Sequence, residues 1–526
     1  MRFVKALVGL LVILGLTAGL VFYWATSRLA HDNPRAPRPQ FQNYELSSGV
    51  ADGTAKPSPT GYAVDSAGHG WILPEMPEAR PLDVHTAANS KRDLTIKSCF
   101  WPGPRARSGV YTNDTDSFHF ENQFPDTATT YIPTAFKLPP GAKLVIKGKY
   151  PHMRHWNFNT YNPQGLPQDA LSDIDINPDP GSSNPFRPGV PRDVETRNYT
   201  VYVVSGPAPS TRAPNTLYTN ADAGEEVFLW MRNFVPDHSI DYVGGVGVPQ
   251  VQLQMADGKV LDEASACAAT DTPMRGKQLA HTVNPVAWEV LTHLPWVDTA
   301  NVGASNNTVQ SLQAFFNRKQ VVLNMFIPAL SPSAPEVLGG WWSNRATRYG
   351  YLYLSRNFGK VYVATGQLPT TPKTWDGQVE NSPNSQVRYI SFCTGGALAA
   401  ATTTDCLYDE QIERTLDKSR HYYIVISRPE DRPKNATEQC GVAWLDFGNG
   451  DGMVSGSPDS AILINRHTMI NPSFEQSWFA VKKPGTEAQV MGDYLPHVIN
   501  MREKDRFEAL GCPVNTSRLQ SVLAAN

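Results

Sequence analysis

The chain has 526 residues, with 46 Lys and Arg against 49 Asp and Glu and a formal net charge of −3. A balance this close, with no long basic block, excludes binding to nucleic acid by bulk electrostatics. The length suits about two to three domains.

The first element is an uncharged apolar run, Ala6–Ala25, preceded by Arg2 and Lys5 and closed by Tyr23, Trp24 and Arg28. About 20 helical residues rise roughly 30 Å, enough to cross a bilayer. The positive flank predicts a cytoplasmic N-terminus, with the bulk of the chain periplasmic or extracellular. A cleaved signal peptide is the alternative, but the run is long for an h-region and no small-x-small site follows it. Residues 1–28 therefore read as an anchor or signal segment. Residues 29–72, rich in Pro, Gly and Ser, read as a tether with too little apolar surface to fold.

Beyond the tether the chain matches itself. Tyr131–Pro151 and Tyr349–Pro369 align without a gap at Tyr131/Tyr349, Gly141/Gly359, Gly148/Gly366 and Pro151/Pro369. Met153–Phe158 then aligns with Val387–Phe392, and Asp169–Ile176 with Asp405–Ile412. Val201–Pro207 aligns with Tyr423–Pro429, and Glu226–Trp230 with Gly441–Phe447. Matches in one order indicate an internal duplication, which decides the architecture. Short alternating segments punctuated by Pro, Gly, Asn and Asp predict antiparallel strands. The expected fold is mainly β: two tandem antiparallel β-sandwich or jelly-roll-like domains with a few connecting helices, after the transmembrane helix. The boundaries are 73–265 for the first copy, 266–334 for a connector and 335–526 for the second copy with C-terminal helices. In the connector, Val309, Leu312, Phe315, Phe316 and Val322 recur at helical spacing and predict a helix within Asn307–Phe326. Arg502–Leu510 predicts another.

Six cysteines without a C-x-x-C pair suit disulfides in an oxidising compartment. Cys393 and Cys406 bracket one loop, whose closure contributes about 3 kcal/mol in the chain-entropy model. Cys406–Cys440 is the competing pair.

No nucleophile elbow, P-loop, dinucleotide fingerprint or zincin motif is present. His152 and His155 are three apart; in a strand they point to opposite faces, so they do not converge on one ion. The shared feature is Arg154 with Trp156 in the first copy and Arg388 in the second. A buried arginine must be paired, and the partners expected are the acids of the same copy, Asp169 or Asp173 and Asp405 or Asp409. Such an arginine either clamps the fold or holds an acidic ligand. Asp173, Asp175, Asn177 and Asp179 alternate as hard oxygen donors for Ca²⁺ do. However, Pro178 and Asn184 stand where an EF-hand needs glycine and glutamate, so a solvated loop competes with that reading. The ligand-groove candidates are Trp341 and Trp342, with Arg345 and Arg348, in the second copy, and His152, His155, Asn157 and Arg187 in the first. Adjacent tryptophans in a strand face opposite ways, so one is expected at a groove or in solvent. The preferred reading is binding of a small molecule, lipid, glycan or envelope partner. The alternatives are a cell-envelope enzyme, possibly metal-assisted, with its cleft between the copies, and a purely structural envelope subunit.

Overall fold

A computed structural model of the chain describes residues 98–101, 124–163, 165–237, 240, 243–272, 294–298, 301, 303–326, 342–378, 385–396, 402–448 and 459–525. The expected anchor and tether, and Trp341, lie outside these residues. No helix among the described residues is long and apolar enough to cross a membrane.

Segments rich in branched and aromatic side chains fit a pleated, buried surface, and here they build four sheets. In the first half, β1 (Thr129–Lys137), β7 (Glu226–Pro236), β3 (Met153–Tyr161) and β4 (Pro167–Ser172) lie side by side in that order. The second sheet of that half runs β6 (Thr216–Tyr218), β5 (Asn198–Val204), β2 (Lys143–Lys149), β8 (Gln250–Gln254) and β9 (Val260–Leu261). In the second half the first sheet runs β11 (Gln313–Ala314), β12 (Thr347–Ser355), β18 (Ser460–Ile470), β14 (Val387–Gly396) and β15 (Thr402–Tyr408). Its companion runs β10 (Val309–Ser311), β19 (His497–Arg502), β13 (Val361–Gln367), β16 (His421–Ser427) and β17 (Ala443–Asp446). The fold is thus mainly β with few helices. The sheets are antiparallel except at β5–β6 and β16–β17, which are parallel.

Each half packs its two sheets face to face. Ile146, Phe158, Val201, Leu229 and Val251 fill the first core, and Ala364, Phe392, Ile424, Leu463 and Val498 the second. Burying one such large side chain contributes about 1.5–3 kcal/mol. These residues correspond one to one in register: Ile146 lies opposite Val201 and Val251, Ala364 opposite Ile424 and Val498. Gly148 faces Tyr199 and Gly366 faces Tyr422. A Cβ on either glycine would fall 2.6 or 2.9 Å from the facing hydroxyl oxygen, so each glycine makes room for a ring.

The correspondence reaches upstream of Tyr131 and Tyr349. Asp126 N–H donates to the Tyr131 hydroxyl and Asn344 N–H to that of Tyr349, both at 2.9 Å. The Oδ1 of each accepts from the residue two further on, Ala128 or Ala346, at 3.0 Å. Phe124 and Trp342 both have left-handed backbone, with φ of 51° and 57°. Val235 in β7 and Met469 in β18 do too, with φ of 45° and 50°. For such side chains this region is strained and must be held by its surroundings.

Two of the segment matches differ from the structure. The register of β5 and β16 makes Val201 the counterpart of Ile424, one residue beyond the alignment from sequence. β5 alternates buried with half-covered residues, but β16 is buried on both faces, so its own pattern fixes no register against β5. Glu226–Trp230 belongs to β7, in the interior of its sheet, whereas Ala443–Asp446 is a parallel edge strand; the counterpart of β7 in strand order is β18. The helix expected within Asn307–Phe326 is confined to Arg318–Phe326, because Val309–Ser311 and Gln313–Ala314 pair as strands. Lys504–Glu508 is helical within the expected Arg502–Leu510.

All six cysteines are bridged: Cys99–Cys267, Cys393–Cys406 and Cys440–Cys512. Cys393 and Cys406 face each other across β14 and β15, where the first half has Asn159 opposite Ala170.

Candidate functional site

The sequence motif at Arg154 lands in the seam between the two halves. In β3, Trp156 and Phe158 enter the first core, but Arg154 turns out of it. It is fully buried and reaches the second half. Its Nη1 donates to Asp409, its Nη2 to Glu410, and its Nε to Thr374 Oγ1 at 3.1 Å. Arg388 makes the reverse crossing: its Nη1 lies 3.6 Å from Asp173 Oδ1 and donates to Arg154 O at 3.4 Å. The expectation of partners within one copy is therefore corrected. The acids are of the expected kind, but Asp173 and Asp409 are exchanged between halves. Asp169 is engaged within its own half by Arg212.

The same aspartates also bond inward. Asp173 Oδ2 accepts from Trp156 N–H at 2.9 Å, and Asp409 Oδ2 from Ile390 N–H at 2.8 Å. The preceding acids act alike, Asp169 accepting from Tyr218 N–H and Asp405 from Asp446 N–H. Each D-x-x-x-D segment thus ties its strand to a neighbour and presents its second acid to the opposite arginine. Glu410 accepts from the N–H groups of Trp375 and Asp376 at 3.0 and 3.1 Å.

Burial raises the Asp173 carboxyl, but His155, Arg388 and the Trp156 N–H together outweigh burial and hold it below its ordinary value. Burial pushes the Asp409 carboxyl up, against the pull of Arg154. Burial also lowers Arg388, in part offset by Asp173.

His152 and His155 do not converge. His155 is fully buried with Nδ1 2.5 Å from Asp173 Oδ2, and its Nε2 has no partner. His152 lies 3.1 Å from Arg197 Nη1, and burial followed by the charges of Arg197 and Arg192 lowers its pKa to about 4. Arg187 donates to Ile174 O and Asn177 Oδ1 and so ties down its own loop. The alternating Ca²⁺ candidates also part company. Asp173 is turned into the seam, Asp175 and Asn177 are exposed, and Asp179 accepts from Thr200. Among the described residues, the only three such ligand atoms within 4.8 Å of one another belong to Asp126, Cys393 and Cys406. Those two sulfurs form a disulfide, so this is not a thiolate metal site.

Trp342 is 4% exposed and stacks on Trp230 at 5.0 Å, so it is not an open sugar platform. Its neighbours Arg345 and Arg348 are exposed and half-buried. Asp126 and Asn344, which were not singled out from sequence, complete the seam, the latter with the groove candidate Asn157. Asp126 accepts from the hydroxyls of Tyr389 and Ser391 at 2.8 and 2.5 Å, and Asn344 accepts from Asn157 Nδ2 at 2.8 Å. These bonds cross in both directions as well. The signal was the similarity of FPDTATTY, Phe124–Tyr131, to WSNRATRY, Trp342–Tyr349.

No family model matches the chain, and no curated protein matches it. Among solved structures, the chain is similar to an uncharacterised protein from Burkholderia cenocepacia, at 9% identity and a TM-score of 0.39, covering 73% of this chain and 80% of that one. It is also similar to the VPA0106 protein from Vibrio parahaemolyticus, at 10% identity and a TM-score of 0.32, covering 72% and 90%. Likenesses this distant carry no conclusion about fold or function.

Proposed function

We propose that the chain is a membrane-tethered exoplasmic protein, built from two descendants of one duplicated β-sandwich, that binds a ligand or an envelope partner. The carrying observation is that the buried arginines and acids singled out from sequence are engaged with one another, Arg154 and Arg388 each across the boundary between the halves. Arg154, His155, Asp173, Arg388 and Asp409 are each 6% exposed or less, and each bonds a neighbour. Buried, hydrogen-bonded ion pairs of this kind suit a role in fixing how the two halves assemble. The matching strand order and the reciprocal bonds across the seam support the duplication. Three disulfides favour an oxidising compartment, and the apolar run Ala6–Ala25 supplies the membrane anchor. The binding surface is the part of the loop Trp342–Arg348 around Arg345 and Arg348, where cationic side chains emerge beside the seam.

The test uses the full chain expressed in a bacterium. Membrane fractions should retain it after alkaline carbonate washing, and protease added to spheroplasts should digest it. Detergent-purified protein examined by native mass spectrometry should carry a stoichiometric small molecule or a co-purified partner. A chain that washes off and resists external protease would contradict the tether. Turnover by a protein lacking any bound molecule or partner would contradict the binding role.

A further inference from the structure

We propose that Arg232 and the Asn344 side chain hold a small monovalent anion at the end of the seam beside Trp342. Arg232 and Arg466 stand in matching register, opposite Tyr131 and Tyr349. They are 3% and 5% exposed. Each reaches a carbonyl of the other half at a residue of left-handed backbone: Arg466 Nη2 donates to Phe124 O at 2.5 Å, and Arg232 Nη2 to Trp342 O.

Their counter-charges differ. Arg466 Nη1 lies 3.6 Å from Asp126 Oδ2. The residue held by the corresponding bonds near Arg232 is the neutral Asn344. Its Oδ1 is taken by Ala346 N–H and Asn157 Nδ2. Its Nδ2 has no partner although Asn344 is only 3% exposed. Arg232 bonds uncharged oxygens, the Tyr161 hydroxyl and Trp342 O. The rings of Tyr131, Tyr161 and Trp230 surround it at 5.5, 5.4 and 5.0 Å. No carboxylate of the described residues pairs with it.

Ring faces offset part of a buried cation's desolvation, but they accept nothing from the Asn344 amide. A desolvated guanidinium without a counter-ion and a buried amide without an acceptor both destabilise. An anion accepting from both relieves the two together. A halide does so as a point charge, and a carboxylate matches the guanidinium fork. The charge pattern outside agrees. Arg345 and Arg348 donate to the carbonyls of Gln168, Arg345 and Thr347 rather than to carboxylates, and Arg348 lies over the Phe479 ring at 5.0 Å. The corresponding places in the first half are Thr127 and Thr130. One segment therefore carries the single negative charge of Asp126, and the other two positive charges. The inference holds whether or not a larger ligand binds.

Asn344→Asp carries the test, since Arg232→Gln removes a buried anchor and risks unfolding. The full chain is melted in a series of sodium bromide or sodium formate, with ionic strength held constant by gluconate. The wild-type Tm should climb steadily with either anion, as linkage requires of a ligand bound only by the folded state. N344D should melt higher at the lowest anion concentration and lose the dependence. Crystals grown in bromide should show an anomalous peak between Arg232 and Asn344. Displacement of that peak by formate identifies a carboxylate site, and its persistence a halide site; either supports the proposal. It is overturned if N344D keeps the wild-type dependence, or if no peak is found.

Discussion

At the scale of the residue, two histidines are kept neutral by their surroundings. Burial holds His467 down to about 3, and His152 is lowered to about 4. An unfolded chain binds these protons near pH 6.5, so the unfolded state gains protons first on acidification. The stability tied to His467 is complete above about pH 6.5 and is lost as pH falls toward 3, with a slope of at most about 1.4 kcal/mol per pH unit. The register position of His467 opposite Arg348 corresponds to that of Asn233 opposite Thr130. Substitution His467→Asn should therefore fold and should flatten the acid limb. Urea midpoints of wild type and variant, compared from pH 7.5 down to pH 5, provide the check. Parallel curves would show that His467 contributes nothing to the acid limb. Such environments are invisible in sequence. A histidine in an apolar strand was readable, but the absence of an Nδ1 partner at His467 is set by packing from distant segments.

At the scale of the element, β3 and β14 each send an arginine to the helical turn that follows the other half's edge strand. Arg154 satisfies two buried acids and Arg388 one, at the longer separation of 3.6 Å. Removing one partner of a buried pair typically costs about 3–5 kcal/mol, so Arg154→Ala should lose that much. Arg388→Ala should lose less, because Asp173 keeps His155 and the Trp156 N–H. A double-mutant cycle of Arg154 with Asp409 should give a coupling above about 1 kcal/mol, and one of Arg154 with Asp173 a much smaller value. Equal couplings in urea unfolding would sink the exchange of partners. The arginines, their strands and the kind of acid were legible from the matched segments. The crossing was not, because the two D-x-x-x-D segments are alike and nothing local distinguishes a partner in the same half from its counterpart. The register of β5 against β16 failed for a related reason: β16 is buried on both faces and carries no alternation to count.

At the scale of the whole molecule, the mainly β, antiparallel character followed from the short alternating segments and their Pro and Gly punctuation, while the strand order and the seam came only from the fold. Its apolar part includes Phe234 and Tyr389, whose rings meet edge to face at 5.2 Å, beside Ala128, Val235 and Tyr408. With crossed ion pairs around this cluster, the halves should stay together without a covalent link between their sandwiches. A protease site inserted after Thr272 tests this. After cleavage in non-reducing buffer the fragments should co-elute in size-exclusion chromatography, and Arg154→Ala should promote their separation. Fragments of the wild type that part at once would show the seam to be weak.

The crossing also sets an order of events during synthesis. The acid that answers Arg154 lies 255 residues further along the chain. At translation speeds of roughly 5–20 residues per second, the first sandwich waits on the order of ten to fifty seconds before its counter-charge exists. During that interval the complementary surface of a neighbouring polypeptide offers identical contacts. Exchange between molecules is then as favourable as closure within one, apart from the effective concentration that the intervening chain supplies. Crowded expression therefore favours swapped dimers, and dilution favours the closed monomer.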